Sequence, residues 1–219
     1  GSVSFPDLST TGFTGTGRSV GSSPYTSNTY TITTANTNAP AANAAEVFDG
    51  AGNNTEESVT FVRDTTAPAA NTPSLTAGYY TSLSVPVSKN GGTDGGSGVD
   101  ATSSVLERDD ATLTNGACGS FSGSWSTVTL TGGNDTSVLS GHCYEYREKL
   151  SDNVGNQGTS SPSNVAKIDN SAPSTPSLAF GGLSANAYYD GSGTLYIRPA
   201  AGGTFTVTAA ATDAQSGVA

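Results

Sequence analysis

DNVGN at residues 152–156 restates DGAGN at 49–53, and the stretch that follows each copy ends in a second shared phrase, DTTAP at 64–68 and DNSAP at 169–173. A third phrase, Thr-Asp-x-x-Ser-Gly-Val, stands at 93–99 as TDGGSGV and at 212–218 as TDAQSGV. A fourth, TPSL, opens at Thr72 and again at Thr175, 103 residues later. Turn chemistry repeated at fixed places between strand-like runs marks a modular array, and about 100 residues is one sandwich domain of chain.

Working outward, the runs between the phrases read as strands. Glu57 to Arg63 (ESVTFVR) alternates, with Val59 and Phe61 on one face; Tyr25 to Thr34 does the same through Tyr30 and Ile32. Residues 103–110, 125–130, 142–150 and 163–168 supply the strands of the middle repeat, and Leu83–Val87 and 203–211 run into the two Thr-Asp-x-x-Ser-Gly-Val loops. Residues 3–13 carry Pro6, which suits an edge strand. The Asn- and Ala-rich stretch 35–45 reads as a short helical turn or a loop. Apolar spacing of 3.6 residues is sustained nowhere, so the expected class is all-β: tandem immunoglobulin-like β-sandwiches whose first and last units are incomplete.

The boundaries follow from the phrases. Residues 1–66 hold only the later part of a repeat, 67–171 a complete one, and 172–219 only the earlier, N-terminal strands. Joined tail to head, 212–219 followed by 3–68 reads as one whole repeat. A sandwich without its first strands exposes an unpaired edge and an open apolar face. Two arrangements supply the missing half: neighbours in one long tandem chain, or the C-terminal strands of another subunit, which by a heterologous contact generate a filament. The expected partner is therefore the protein itself.

Composition narrows the setting. Asp and Glu outnumber Lys and Arg by 18 to 8, for a net charge of -10, and such a surface repels nucleic acid and anionic lipid. No run approaches the roughly 20 apolar residues of a membrane helix. Methionine is absent even at position 1, which predicts a mature or excised segment. Cys118 and Cys143 lie in one repeat, and export predicts a disulfide between them rather than two thiols. Localisation is expected to be extracellular, at a cell surface.

The phrases resemble those of the bacterial Ig-like repeats of large extracellular surface and adhesin proteins, which are bounded by Asp-x-x-Ala-Pro linkers and carry the same two turns. The likeness covers essentially the whole chain. It implies sandwiches in series and a function as stalk, spacer or adhesive fibre. Cys118 follows the second-strand loop, so Cys118, Trp125 and Cys143 do not reproduce the pin of antibody domains.

Candidate sites are few. In a sandwich of this topology the entering linker, the loop after the second strand and the loop before the last meet at one pole. Asp64, Asp94, Asp152 and Asn156 there make an oxygen cage for Ca²⁺, as do Asp169 and Asp213 with Asp49 and Asn53 of a neighbouring half. The competing reading is that these Asp and Asn side chains cap tight turns. Tyr79, Tyr80, Trp125, Tyr188 and Tyr189 are the loop aromatics through which an adhesin module would bind a glycan or a protein receptor, the alternative function. Catalysis has no constellation: His142 is the single histidine and adjoins Cys143, and Asp109-Asp110 are adjacent on a strand or turn, where side chains diverge. No enzyme is expected, and no cofactor beyond calcium.

Overall fold

Period-2 alternation runs through His142–Ser151, where Tyr144, Tyr146, Glu148 and Leu150 are buried and, from Glu145 on, the residues between them are half-buried. In the computed structural model, which describes residues 1–9, 13–32 and 43–218, this strand is the centre of a seven-stranded sheet. Val105–Thr114 pairs along it antiparallel, from Val105↔Lys149 to Thr112↔His142. Ser126–Val128 and Ala117–Cys118 lie on 105–114, and Gln157–Thr159 and Ala166–Ile168 on 142–151. Gly78–Tyr80 closes the edge in parallel with 166–168. Two-stranded ladders, Ala69–Ala70 with Gly92–Thr93 and Val85–Pro86 with Asn134–Asp135, complete the repeat. The fold is all-β. Among the described residues the one helical element is a 3-10 turn, Pro199–Ala201.

The core lies in this middle repeat. Val85, Val87, Leu106, Val138, Tyr144, Tyr146, Ala166 and Ile168 form one buried cluster, with Leu75 and Tyr80 packed on it. Burying Val85 and Ile168 completely contributes about 1.5–3 kcal/mol each. The disulfide Cys118–Cys143 braces a second, smaller cluster with Ala111 and Leu113.

The chain divides into two compact units, Gly1–Thr65 and Thr66–Ala219. The first holds a four-stranded antiparallel sheet in the order Arg18–Val20, Ser2–Phe5, Asn43–Phe48, Asn54–Val59, and a short ladder of Phe13–Thr14 with Thr31–Ile32. The second contains the middle repeat and the segment that follows it, where Ser177–Gly181 pairs with Thr206–Ala210 and Ala187–Tyr189 with Leu195–Ile197.

Three expectations change. Ser2–Phe5 is paired on both sides and so is not an edge; Pro6 falls just beyond it and costs no ladder bond. The strand expected at 57–63 ends at Val59, opposite Asn43, whereas its middle-repeat counterpart 166–168 is held between 142–144 and the parallel strand 78–80. Among the described residues the strand expected at 25–34 is paired only at Thr31–Ile32, and residues 33 and 34 lie outside them. Of the stretch 35–45, residues 35–42 lie outside the described residues.

Candidate assembly interface

The sheet order 18–20, 2–5, 43–48, 54–59 of the first unit is the order 126–128, 105–114, 142–151, 157–159 of the middle repeat. The register agrees as well. Glu46↔Glu56, Val47↔Thr55 and Phe48↔Asn54 become Lys149↔Thr159, Leu150↔Gly158 and Ser151↔Gln157 when 103 is added to each number. In the middle repeat the apolar face of this sheet is covered by Leu75, Val85 and Val87, all from the earlier part of the repeat. The first unit's face is a groove of about 350 Å³ walled by Phe5, Leu8, Phe13, Ile32, Val59 and Phe61.

The missing strands are present at the other end. Ser177↔Ala210 reproduces the bridge Ser74↔Ser88, which makes Leu178 the counterpart of Leu75, Ala209 of Val87 and Val207 of Val85. Cross-strand partners share a face, so Leu178, Phe180, Val207 and Ala209 form one apolar surface. Val85 is 0% exposed, whereas Val207 is 48% and Leu178 55% exposed. Both halves are open where the whole repeat is closed.

The carboxylates are turn caps. Asp152 accepts from the Val154 and Asn156 N–H groups at 3.0 and 2.8 Å and from Asn156 Nδ2 at 2.6 Å. Asp49 repeats this with the Ala51 and Asn53 N–H groups and Asn53 Nδ2, at 2.8, 2.9 and 2.7 Å; these bonds, led by the Asn53 amide, hold its carboxyl below the usual range. Asp94 Oδ2 accepts from the Gly96 and Gly98 N–H groups, and Asp213 Oδ1 from those of Gln215 and Ser216. Asp94 and Asp152 present carboxylate oxygens within 4.8 Å of each other, and Asp94 Oδ1 is buried with no hydrogen-bond donor. Asp169 and Asp213 converge on one donor, the Ser216 N–H. Asp64 stands in the first unit, one residue from its end.

Around Ser216 the loop 214–216 is fixed to the middle repeat. Asn115 N–H donates to Ala214 O at 3.0 Å, Gly116 N–H to Gln215 O at 2.7 Å, and Ser140 Oγ bonds Gln215 Oε1 at 2.8 Å. Gly116 has φ +78°, and a Cβ there would come within 2.9 Å of Tyr79 Oη and 3.1 Å of Ser216 O, so only glycine fits. Lys167 Nζ donates to Gly116 O at 2.7 Å and lies over the Tyr79 ring.

The other aromatics are dispersed. Tyr80 packs on the core and donates to Thr76 O. Trp125 lies under the Arg147 guanidinium, 4.3 Å from its centroid. Tyr189 packs on Phe180, and exposed Tyr188 stacks on Tyr196 across the hairpin.

Two buried acids were not read from the sequence. Glu148 is a carboxylate in a core position, satisfied by the Asn90 and Gly91 N–H groups at 3.0 Å and by Ser104 Oγ at 2.6 Å. Its signal was an acid in alternation with Tyr144, Tyr146 and Leu150. Asp135 pairs with Arg108 at 2.7 Å and accepts from Tyr146 Oη at 3.0 Å. Burial alone would raise its pKa; bonds from Ser137 and Arg108 outweigh this and lower it. Tyr146, buried beside that carboxylate, has its pKa pushed far up.

Sheet repetition, one disulfide and, among the described residues, a single helical turn define an all-β, sandwich-like protein. No family model, curated protein or solved structure matches the chain.

Proposed function

We propose that this chain is an extracellular structural repeat protein, and that its Ig-like sandwiches are completed head to tail to make a fibre or stalk. The observation that carries this reading is the pair of open faces: one sheet with the order and register of the middle repeat but no cover, and one hairpin with the cover but no sheet beneath it. A contact between different surfaces propagates into a filament wherever its rotation does not close a ring. Its action is mechanical: strands shared across each joint carry load along the axis. The export setting is supported by the disulfide and the acidic surface, and among the described residues no helix is long and apolar enough to cross a membrane.

Calcium is part of the proposal, held within the second unit by Asp94, Asp152 and Asn156. One observation favours it, the buried Asp94 Oδ1 that receives no donor while its sister oxygen takes two. A cation would supply that missing partner.

The test of assembly is sedimentation velocity of the whole chain over a range of concentrations, with negative-stain imaging of the same samples. Concentration-dependent growth into particles of regular axial period is expected. A monomer at every concentration, with its melting transitions intact, would refute the fibre.

A further inference from the structure

In the middle repeat the strand that closes the sheet is parallel and has a fixed register: Gly78↔Ala166, Tyr79↔Lys167, Tyr80↔Ile168. DTTAP aligned on DNSAP makes residues 61–63 the counterparts of 166–168, and Tyr188-Tyr189 aligned on Tyr79-Tyr80 makes 187–189 the counterpart of 78–80. We propose that 187–189 of a second copy adds in parallel beside 61–63 of the first unit, with Ala187 opposite Phe61, Tyr188 opposite Val62 and Tyr189 opposite Arg63. This rests on the fibre reading and specifies its joint.

Two independent observations agree with that register. The first is side-chain exposure. Val62 is 80% exposed, and Tyr188, placed opposite it, is 65% exposed. In the middle repeat the equivalent pair is Lys167 over Tyr79, a cation on a ring. The substitution of valine for lysine converts a contact that tolerates water into one that excludes it, as a joint between molecules requires.

The second is peptide direction. Strand 187–189 already uses one edge on Leu195–Ile197, and Asn186 O accepts the Arg198 N–H on that side. By strand alternation the peptide groups of 187 and 189 face the opposite edge. Those are the counterparts of 78 and 80, whose peptide groups make the parallel ladder through Gly78 N–H to Val165 O and Asp169 N–H to Tyr80 O. The edge that faces outward is the edge the register needs. One local bond, from the Ala187 N–H to Ser184 O, is exchanged on docking.

The occupant is a second copy because the cover is a specific shape. The hairpin that brings 187–189 also carries Leu178, Val207 and Ala209, whose counterparts seal the middle core. A tandem neighbour of the same pattern offers the same segment; with this chain alone it comes from another molecule.

The experiment is cysteine pairing in the full chain. Adjacent strands lie about 4.8 Å apart, inside the Cα separation a disulfide spans. Val62→Cys with Tyr188→Cys, mildly oxidised, is expected to give a ladder of linked multimers that reductant collapses. Val62→Cys with Ala187→Cys, one residue out of register, is the control and is expected to give little. Association without a ladder, or equal ladders from both pairs, overturns the register while the fibre reading stands. No ladder and no association removes both. A linked species of monomer mass overturns the second copy as occupant. Both positions are on the surface, and amide exchange on the unsubstituted chain is the second measurement: protection at 61–63 and 187–189 is expected to rise with concentration, and unchanged exchange in associated material refutes the strand addition.

Discussion

The same truncation at two equivalent positions separates a closed sandwich from an open one. Val85 is wholly buried in the middle repeat, and its counterpart Val207 is 48% exposed. Val85→Ala removes two methyl groups, about 1.6 kcal/mol at ~0.8 per group, and the cavity left behind brings the loss to about 2.5 kcal/mol. For a unit of this size that is roughly 5–10 °C of melting temperature. Val207→Ala in the free chain is a surface change, within about 0.5 kcal/mol. On assembly, however, the exposed half of that side chain is covered. The transfer share is then about 0.8 kcal/mol, and an imperfectly collapsed cavity raises it to about 1.4 kcal/mol, or roughly tenfold in the dissociation constant. Urea melts at low concentration measure the first quantity and sedimentation velocity the second. Val85→Ala is expected to lower the melt. Val207→Ala is expected to leave the melt and weaken association. If Val207→Ala destabilises the free chain as much as Val85→Ala, the hairpin is already closed and the reasoning fails; if it leaves association untouched, the hairpin is not the cover.

Three further outcomes follow from the middle repeat. Replacing Cys118 and Cys143 by alanine opens a loop with a sequence separation of 25 and is expected to cost about 3.5 kcal/mol on the loop-entropy estimate, read as a lower urea midpoint under non-reducing conditions. Asp135 has a folded pKa below its ordinary value, so its stabilisation is present above about pH 4 and is lost as pH falls through the folded value; an acid series of urea melts should show this slope, and Asp135→Asn should flatten it while lowering neutral-pH stability. Asp94→Ala removes the caps on the Gly96 and Gly98 N–H groups at a cost of about 1–2 kcal/mol. Added Ca²⁺ should raise the melting temperature of the unsubstituted chain, EGTA should reverse the rise, and Asp94→Ala should not show it; an unchanged melt leaves Asp94 a turn cap alone.

What could be read from the sequence was whatever is encoded locally or by repetition. The strand read at 142–150 is present and runs one residue further, to Ser151, and the Asp-x-x-Gly-Asn phrases gave the turns at 49 and 152, because the capping donors are two and four residues away. The 103-residue spacing of TPSL carried over into the strand register of 43–48 with 54–59. The remainder depends on partners distant in sequence. Thr60 to Arg63 alternates as well as any strand, yet the strand ends at Val59. Asp135 stands just beyond Gly132-Gly133-Asn134 with no local sign of burial; that it lies under Arg108 and Tyr146 is a long-range fact. Between Tyr189 and Val207 the chain is longer than between Tyr80 and Val85, and the extra residues make the 195–197 hairpin strand that settles which edge stays outward.

The tail has to stay folded while unpaired if it is to act as a donor, and the structure gives a reason why it can. Its last loop is not free: Ala214, Gln215 and Ser216 are bonded to Asn115, Gly116, Ser140 and Asp169 of the middle repeat. Five antiparallel pairs from Ser177↔Ala210 to Gly181↔Thr206 then hold the hairpin without a sheet behind it. A disordered donor would lose about 1–2 kcal/mol of backbone entropy per residue fixed on docking. A hairpin anchored at one end has already met most of that cost, so the apolar burial of Leu178, Val207 and Ala209 is available to the joint. In the proposed fibre the same anchoring would limit rotation at each joint. Assembly and stiffness would then draw on the same few hydrogen bonds, and Gly116→Ala, which puts a Cβ against Tyr79 Oη and Ser216 O, is expected to loosen both together.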